Sequence, residues 1–222
     1  MNYQKQLEEV IKQEINNRKK LLLHSCCAPC SSYVLEYLRE YFDITVFFYN
    51  PNISNGLEYE KRLQEEKRLI EAYNEQVESG NFEKMNSTEN ASTIKIMEVG
   101  YEPSEFYEAV KGYEQCMEGG ERCYKCFELR LLKSAKVAKQ QGFDYFTTTL
   151  TISPLKNADW LNEIGRTMGE KEGVLFLPSD FKKKDGYKRS IQLSRDFELY
   201  RQDFCGCAFS KAEMEEKRKL HE

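Results

Sequence analysis

The chain has no long apolar run. Its longest apolar stretches, such as residues 44–49, are strand length and far short of a membrane span. The N-terminal stretch is amphipathic and rich in Glu and Lys, without the apolar core of a signal peptide, which predicts a cytoplasmic location and no membrane partner. A positive charge balance is also missing. The 33 Lys and Arg stand against 37 Asp and Glu, a net charge of −4. That argues against a generally basic nucleic-acid binder and leaves room for a local basic face. No internal repeat is visible. Aromatic residues, by contrast, are numerous, with 14 Tyr and 13 Phe, and there are 8 Cys. With 222 residues, 40% apolar and 32% charged, the chain reads as one α/β domain over residues 1–222 with a packed core. Eight cysteines in a small secreted chain would suggest a disulfide framework. In a chain of this size without a secretion signal they predict metal-binding or catalytic thiols.

Hydrophobic periodicity predicts helices over residues 1–17, 57–73, 104–111, 122–141, 159–171 and 187–199. A further helix is expected after a cap at Ser31 or Ser32, and Ser104 is expected to cap the helix behind Pro103. Strands are predicted over residues 20–24, 44–49, 94–99, 143–150 and 174–177. Residues 80–93 read as a solvent-exposed loop, the least constrained part of the chain. The alternation implies a Rossmann-like parallel sheet with helices on both faces. In such sheets ligands collect at the carboxyl ends of strands, where the Cys26-Cys27 loop and residues 147–151 fall.

The cysteines fall into groups. Adjacent Cα atoms such as those of Cys26 and Cys27 are about 3.8 Å apart, below the roughly 4.4–6.8 Å usual for a disulfide. Convergence of both side chains on a metal is easier than a mutual bridge, although two buried apolar cysteines fit as well. Cys123-Tyr124-Lys125-Cys126 has metal or redox spacing at a predicted helix start, where free N–H groups favour thiolate. Two pairs give four thiolates, which suit either a [4Fe–4S] cluster or a structural zinc. Cys205-Gly206-Cys207 allows a small, strained and hence labile disulfide, with Gly206 permitting the tight turn. Two core cysteines among Tyr200, Phe204 and Phe209 fit equally. Cys30 is placed either to add a ligand at the first pair or to pack at a helix start. Cys116 has no partner at ligand spacing.

Taken in order, these motifs resemble the epoxyqueuosine reductases of the QueH type. The resemblance rests on His24-Ser25-Cys26-Cys27-Ala28-Pro29, Phe48-Tyr49-Asn50-Pro51-Asn52-Ile53 and Glu58-Tyr59-Glu60-Lys61-Arg62. It continues through Arg122-Cys123 with Cys126, Thr147-Thr148-Thr149-Leu150, Ser153-Pro154, Lys156-Asn157, Tyr200-Arg201-Gln202 and residues 204–210. It implies the nucleotide α-hydrolase (HUP) branch of Rossmann-like folds. It also implies two-electron removal of the epoxide oxygen of epoxyqueuosine in a tRNA anticodon loop, with electrons from an unidentified donor. A [4Fe–4S] cluster on Cys26, Cys27, Cys123 and Cys126 is implied, with one additional iron beside it. Cys30 stands where some members have Asp, so the ligands of that iron stay open. Cys205 and Cys207 match a redox-active dithiol or disulfide of the family. Cys116 matches no family motif.

Within that frame His24, Tyr49 and Asn52, at strand ends, are candidates to donate protons or orient the substrate ring. For His24 a satisfied buried histidine is an equal reading. Lys182-Lys183-Lys184 with Lys188 and Arg189 form a local basic patch that suits either phosphate contact or a solvated loop. An ATP-using tRNA-thiolating enzyme would carry a glycine-rich phosphate loop after the first strand. The chain has Cys-Cys-Ala-Pro-Cys there instead.

Overall fold

Strands and helices alternate through most of the chain, as the periodicity predicts. The computed structural model describes residues 2–219, so residue 1 of the first predicted helix lies outside it. The elements are α1 (Tyr3–Glu14), β1 (Lys20–His24), α2 (Ala28–Leu38), β2 (Asp43–Phe48), α3 (Gly56–Ser79), β3 (Lys95–Glu98) and α4 (Pro103–Ala109). They continue with α5 (Glu121–Gln140), β4 (Tyr145–Thr148), a 3₁₀ turn at Thr149–Ile152, α6 (Ala158–Glu172), β5 (Leu175–Phe176), α7 (Gly186–Asp196) and α8 (Ala208–Lys219). The five strands are all parallel, in the order β3-β2-β1-β4-β5. The chain therefore starts at the centre of the sheet, winds outward to β3, and returns to β4 on the other side of β1. That reversal leaves a crevice at the carboxyl ends of β1 and β4, where folds of this kind bind ligands.

β1 is apolar on both faces because it is central. Leu21 and Leu23 join the core under α1, α2 and α3, with Leu7, Leu35 and Ile70. Leu22 faces the other way, into the core with Phe127, Leu131 and Leu161 of α5 and α6. Gly165 and Gly169 let α6 lie close on β5, because a side chain at Gly165 would strike the Phe176 ring. Among the described residues no helix is long and apolar enough to cross a membrane.

The structure changes several expected boundaries. α2 begins at Ala28, with Cys27 as its extended N-cap residue and Pro29 in the first turn. Ser31 and Ser32 lie inside the helix, because proline is pre-set for a helix start and has no N–H to leave unpaired. α3 runs to Ser79 and stops at left-handed Gly80. The strand predicted over residues 143–150 is only Tyr145–Thr148, because the Thr148 hydroxyl accepts from Leu150 N at 3.2 Å and turns the chain. Helix α4 starts at Pro103 without a side-chain cap. The loop at residues 80–93 is tied down rather than free. Buried Ser87 accepts from Arg39 Nε at 2.8 Å, and Thr88 N donates to Glu40 at 2.6 Å. Periodicity also missed α8.

Candidate metal and thiol site

The crevice between β1 and β4 gathers sulfur from distant parts of the chain. The start of α2 folds Cys30 back over Cys27, with Cys30 N donating to Cys27 O at 3.1 Å. The Sγ atoms of Cys26, Cys27 and Cys30 all lie within 4.8 Å of one another, a group able to hold a metal ion. Cys26 and Cys27 Sγ are 3.7 Å apart, so the pair is not bridged. Thiols of Cys27 and Cys30 both donate toward Cys26 and hold it well below the usual thiol range. The same hydrogen bonds keep the protons on Cys27 and Cys30, whose values rise. Gln202 Nε2 reaches Cys27 Sγ at 2.7 Å, tying the C-terminal segment to this group.

Cys123 and Cys126, in the first turns of α5, are buried but outside that close group. Gly119 N donates to Cys123 Sγ at 3.3 Å. The expected helix-start preference for thiolate is outweighed by burial, which raises Cys123 and pushes Cys126 up to about 11. One turn on, fully buried Arg130 links the groups. Burial works against its charge, but the negative charge that the sulfurs of Cys126, Cys205, Cys26 and Cys123 carry as thiolates more than offsets that and raises its value. Its Nη2 atom has no hydrogen-bond partner.

The third contribution is the segment around Cys205. Gly206 takes φ +117°, a conformation side chains rarely adopt, and its carbonyl accepts from Ser54 N at 3.0 Å. Arg62, with 1% of its side chain exposed, pairs with Glu58 and donates to the carbonyls of Cys205 (3.1 Å) and Phe204 (3.4 Å). Arg122 on α5 holds Glu213 on α8 at 2.7 Å. Cys205 and Cys207 are both free thiols here, and burial pushes Cys207 up to about 12. Lys156 donates to Cys205 Sγ at 3.2 Å. A cavity of about 180 Å³ joins these parts, lined by Cys26, Cys30, Arg130, Lys156, Phe204 and Cys205 among others.

The strand-end candidates His24, Tyr49 and Asn52 do not line this cavity. His24 is fully buried. Its Nε2 lies 3.1 Å from Tyr49 O, which only accepts, so Nε2 carries the proton and Nδ1 accepts from Thr148 Oγ1 at 2.9 Å. Burial, together with Arg130, pushes His24 down to about 3, so it is neutral. Tyr49 donates its hydroxyl to Glu105. Asn52 is buried with Oδ1 unpartnered. The basic patch is largely paired, as Lys182, Lys184 and Arg189 meet Asp180, Glu8 and Glu36. Lys183 and Lys188 are exposed beside it. Cys116 takes part through its carbonyl, which accepts from Arg122.

A family model described as epoxyqueuosine reductase QueH matches residues 21–213. Proteins of that name are similar over most of the chain. The one from Staphylococcus epidermidis is 41% identical over 214 residues, 95% of this chain and 84% of the relative. The one from Streptococcus pyogenes serotype M1 is 39% identical over 212 residues, 95% and 78%. The one from Thermotoga maritima is 36% identical over 197 residues, 89% and 93%. The chain belongs to the epoxyqueuosine reductase QueH family.

In this QueH chain, sequence reasoning did not single out Arg62, Glu66, Glu118, Arg130, Lys156 or Gln202 as site residues. Arg62 and Lys156 reach Cys205, Lys156 reaches Glu118 and Gln202 reaches Cys27 across 38 to 175 positions, and no spacing rule reaches such pairs. Glu66 on α3 is the least expected. It is fully buried, and neither carboxyl oxygen has a partner at hydrogen-bond geometry. Burial raises it to about 8, and the nearby Ser31 and Ser25 hydroxyls do not offset this. The folded state thus binds this proton more tightly than the unfolded chain, whose value is 4.5. Stability is lost as pH rises from 4.5 through 8. Glu66→Gln is expected to stabilise the protein by on the order of 3 kcal/mol at pH 7. The gain should shrink toward zero near pH 4.5 in urea titrations. A difference independent of pH would contradict the assignment.

Proposed function

We propose that this chain is an oxidoreductase that converts epoxyqueuosine in tRNA to queuosine by two-electron removal of the epoxide oxygen. The observation that carries the reading is one cavity shared by the Cys26–Cys30 thiol group and by Cys205, in a chain matched by the family from residue 21 to 213. The proposed substrate is the anticodon loop. Half-exposed Tyr187 at the cavity edge, with Lys183 and Lys188 nearby, suits base stacking and phosphate contact. A tRNA substrate supports a cytoplasmic location, and the electron donor is unidentified.

The proposed cofactor is a [4Fe–4S] cluster on Cys26, Cys27, Cys123 and Cys126, with Cys30 as the thiol beside it for an additional iron. The donor chemistry fits, since these are buried or half-buried free thiols. Arg130 Nη2, a cationic donor without a partner, suits an anionic group at this place. When bound, the cluster supplies electrons one at a time. The protein's own parts divide the remaining work. Cys205 and Cys207 act as a dithiol at the cavity, held by Arg62. His24, neutral and bonded on both ring nitrogens, braces β1 against β4 rather than moving a proton. Tyr49 supports the same wall, and Asn52 offers its free oxygen beside it.

The test is anaerobic protein with epoxyqueuosine-containing tRNA and a chemical reductant, with nucleosides read by mass spectrometry. Queuosine should form, with iron and sulfide in the protein. Bound zinc without sulfide would remove the iron–sulfur assignment, and no queuosine from iron-loaded protein would remove the function.

A further inference from the structure

Lys156 belongs to none of the cysteine groups, yet it sits where they meet. It follows the 3₁₀ turn behind β4 and lines the 180 Å³ cavity with Cys26, Cys30 and Arg130. It also lines a neighbouring cavity with Cys123. Its Nζ donates to Cys205 Sγ at 3.2 Å and to Glu118 Oε1 at 3.0 Å, and its side chain is only 9% exposed. Glu118 is fixed from its other oxygen by the Ser210 hydroxyl at 2.8 Å. Burying an ammonium is costly unless anions surround it. Here burial works against the charge, and Cys205 and Glu118 outweigh it, so the proton is held firmly. A fixed, largely buried cation therefore stands at the cavity, bonded to the sulfur assigned to oxidation.

We propose that Lys156 is a catalytic residue that donates a hydrogen bond to the oxygen leaving the epoxide. The inference rests on the reductase reading above and adds the group that carries the developing negative charge. The chemistry balances within the chain. In one turnover the Cys205 and Cys207 thiols give up two electrons and two protons and form an S–S bond. Both C–O bonds of the epoxide break, a C=C bond forms, and the oxygen leaves with the two protons as water. Before oxidation, Cys205 occupies one N–H of Lys156. Once that sulfur is in the disulfide it is a poor acceptor, and the N–H is free for the alkoxide formed when the first C–O bond breaks. Lys156 remains an ammonium throughout. Its contribution is preorganised electrostatic stabilisation, worth about 10²–10³ in rate for a single well-placed donor.

The test uses the intact protein with Lys156→Met and Lys156→Arg. In single turnovers on epoxyqueuosine-containing tRNA, the Met variant should slow by about 100-fold or more, while tRNA affinity changes by less than about 2-fold. The Arg variant should recover part of the rate, because it restores the charge. Without tRNA, alkylation of Cys205 by iodoacetamide, read by mass spectrometry, should slow in the Met variant, since the sulfur has lost its cation. Removing Lys156 alone strands the Glu118 carboxylate, so Lys156→Met with Glu118→Gln serves as the second variant if the first fails to fold. A wild-type protein inactive on this tRNA sinks the reductase reading and this inference with it. Active wild-type protein beside a folded Met or double variant within about 5-fold of its rate overturns the role of Lys156 alone.

Discussion

Cys205→Ser is expected to abolish turnover, by on the order of 10³-fold or more, while leaving the metal content of the protein unchanged. The serine keeps the size of the side chain, the backbone carbonyl that accepts from Arg62 and the backbone N–H that donates to Ser210 Oγ. It cannot form the S–S bond with Cys207, so the two thiol electrons have no exit. The close group of Cys26, Cys27 and Cys30 does not include Cys205. Iron and sulfide should therefore match wild type, and queuosine formation under repeated turnover should fall to background. Full activity in this variant would remove the dithiol from the mechanism. Loss of iron would instead make Cys205 part of the metal-binding set.

The second large effect is on stability. Gly186→Ala is expected to cost about 3 kcal/mol or more, by overpacking against atoms that cannot move aside. A Cβ at Gly186 would lie under 3.0 Å from the Phe181 carbonyl oxygen and from the Tyr33 ring. The glycine opens α7 directly after Lys184 and Asp185, both at positive φ, so the backbone there has little freedom to shift. A loss of that size corresponds to a fall in Tm of roughly 6–12 °C for a chain of this length. Gly100→Ala, at a site with nothing within 4 Å, is the control and should stay close to wild type. The effect would reach the cavity, because the first turn of α7 carries Tyr187 and Ser190 to its edge. An unchanged Tm in Gly186→Ala would mean that α7 seats on α2 differently.

The fold was legible because its signals are local. Lys-Leu-Leu-Leu-His and Asp-Ile-Thr-Val-Phe-Phe are short apolar runs between amphipathic helices, and they pair in parallel at the centre of the sheet. Boundaries failed where one residue's chemistry overrode the pattern, as Pro29 does for α2 and Thr148 does for β4. Helix α8 was invisible because Ser210 is its one buried residue among those described. An apolar period cannot report a helix that is docked by the Arg122–Glu213 ion pair. The cysteine pairs were legible from spacing. The place of Cys30 was not, because it depends on where α2 begins: a start at Ala28 puts Cys30 one turn from Cys27, whereas a start at Ser31 would have left it in the loop. Lys156 and Arg130 carry no spacing signal at all. Their meaning comes from sulfurs brought to them by the return of the chain to β4 and by the docking of the last segment.

That last docking gives the site an order in time. Gln202, which closes on the Cys27 sulfur, comes 175 positions later in the chain. At synthesis rates of about 5–20 residues per second, the first thiols leave the ribosome roughly 10–35 s before the residues that cover them. The basin is open until these later residues are made, and it gains its roof when they dock. Whatever is delivered to Cys26, Cys27 and Cys30 during that interval meets no barrier from Phe204 or Cys205. The dithiol arrives only after that interval.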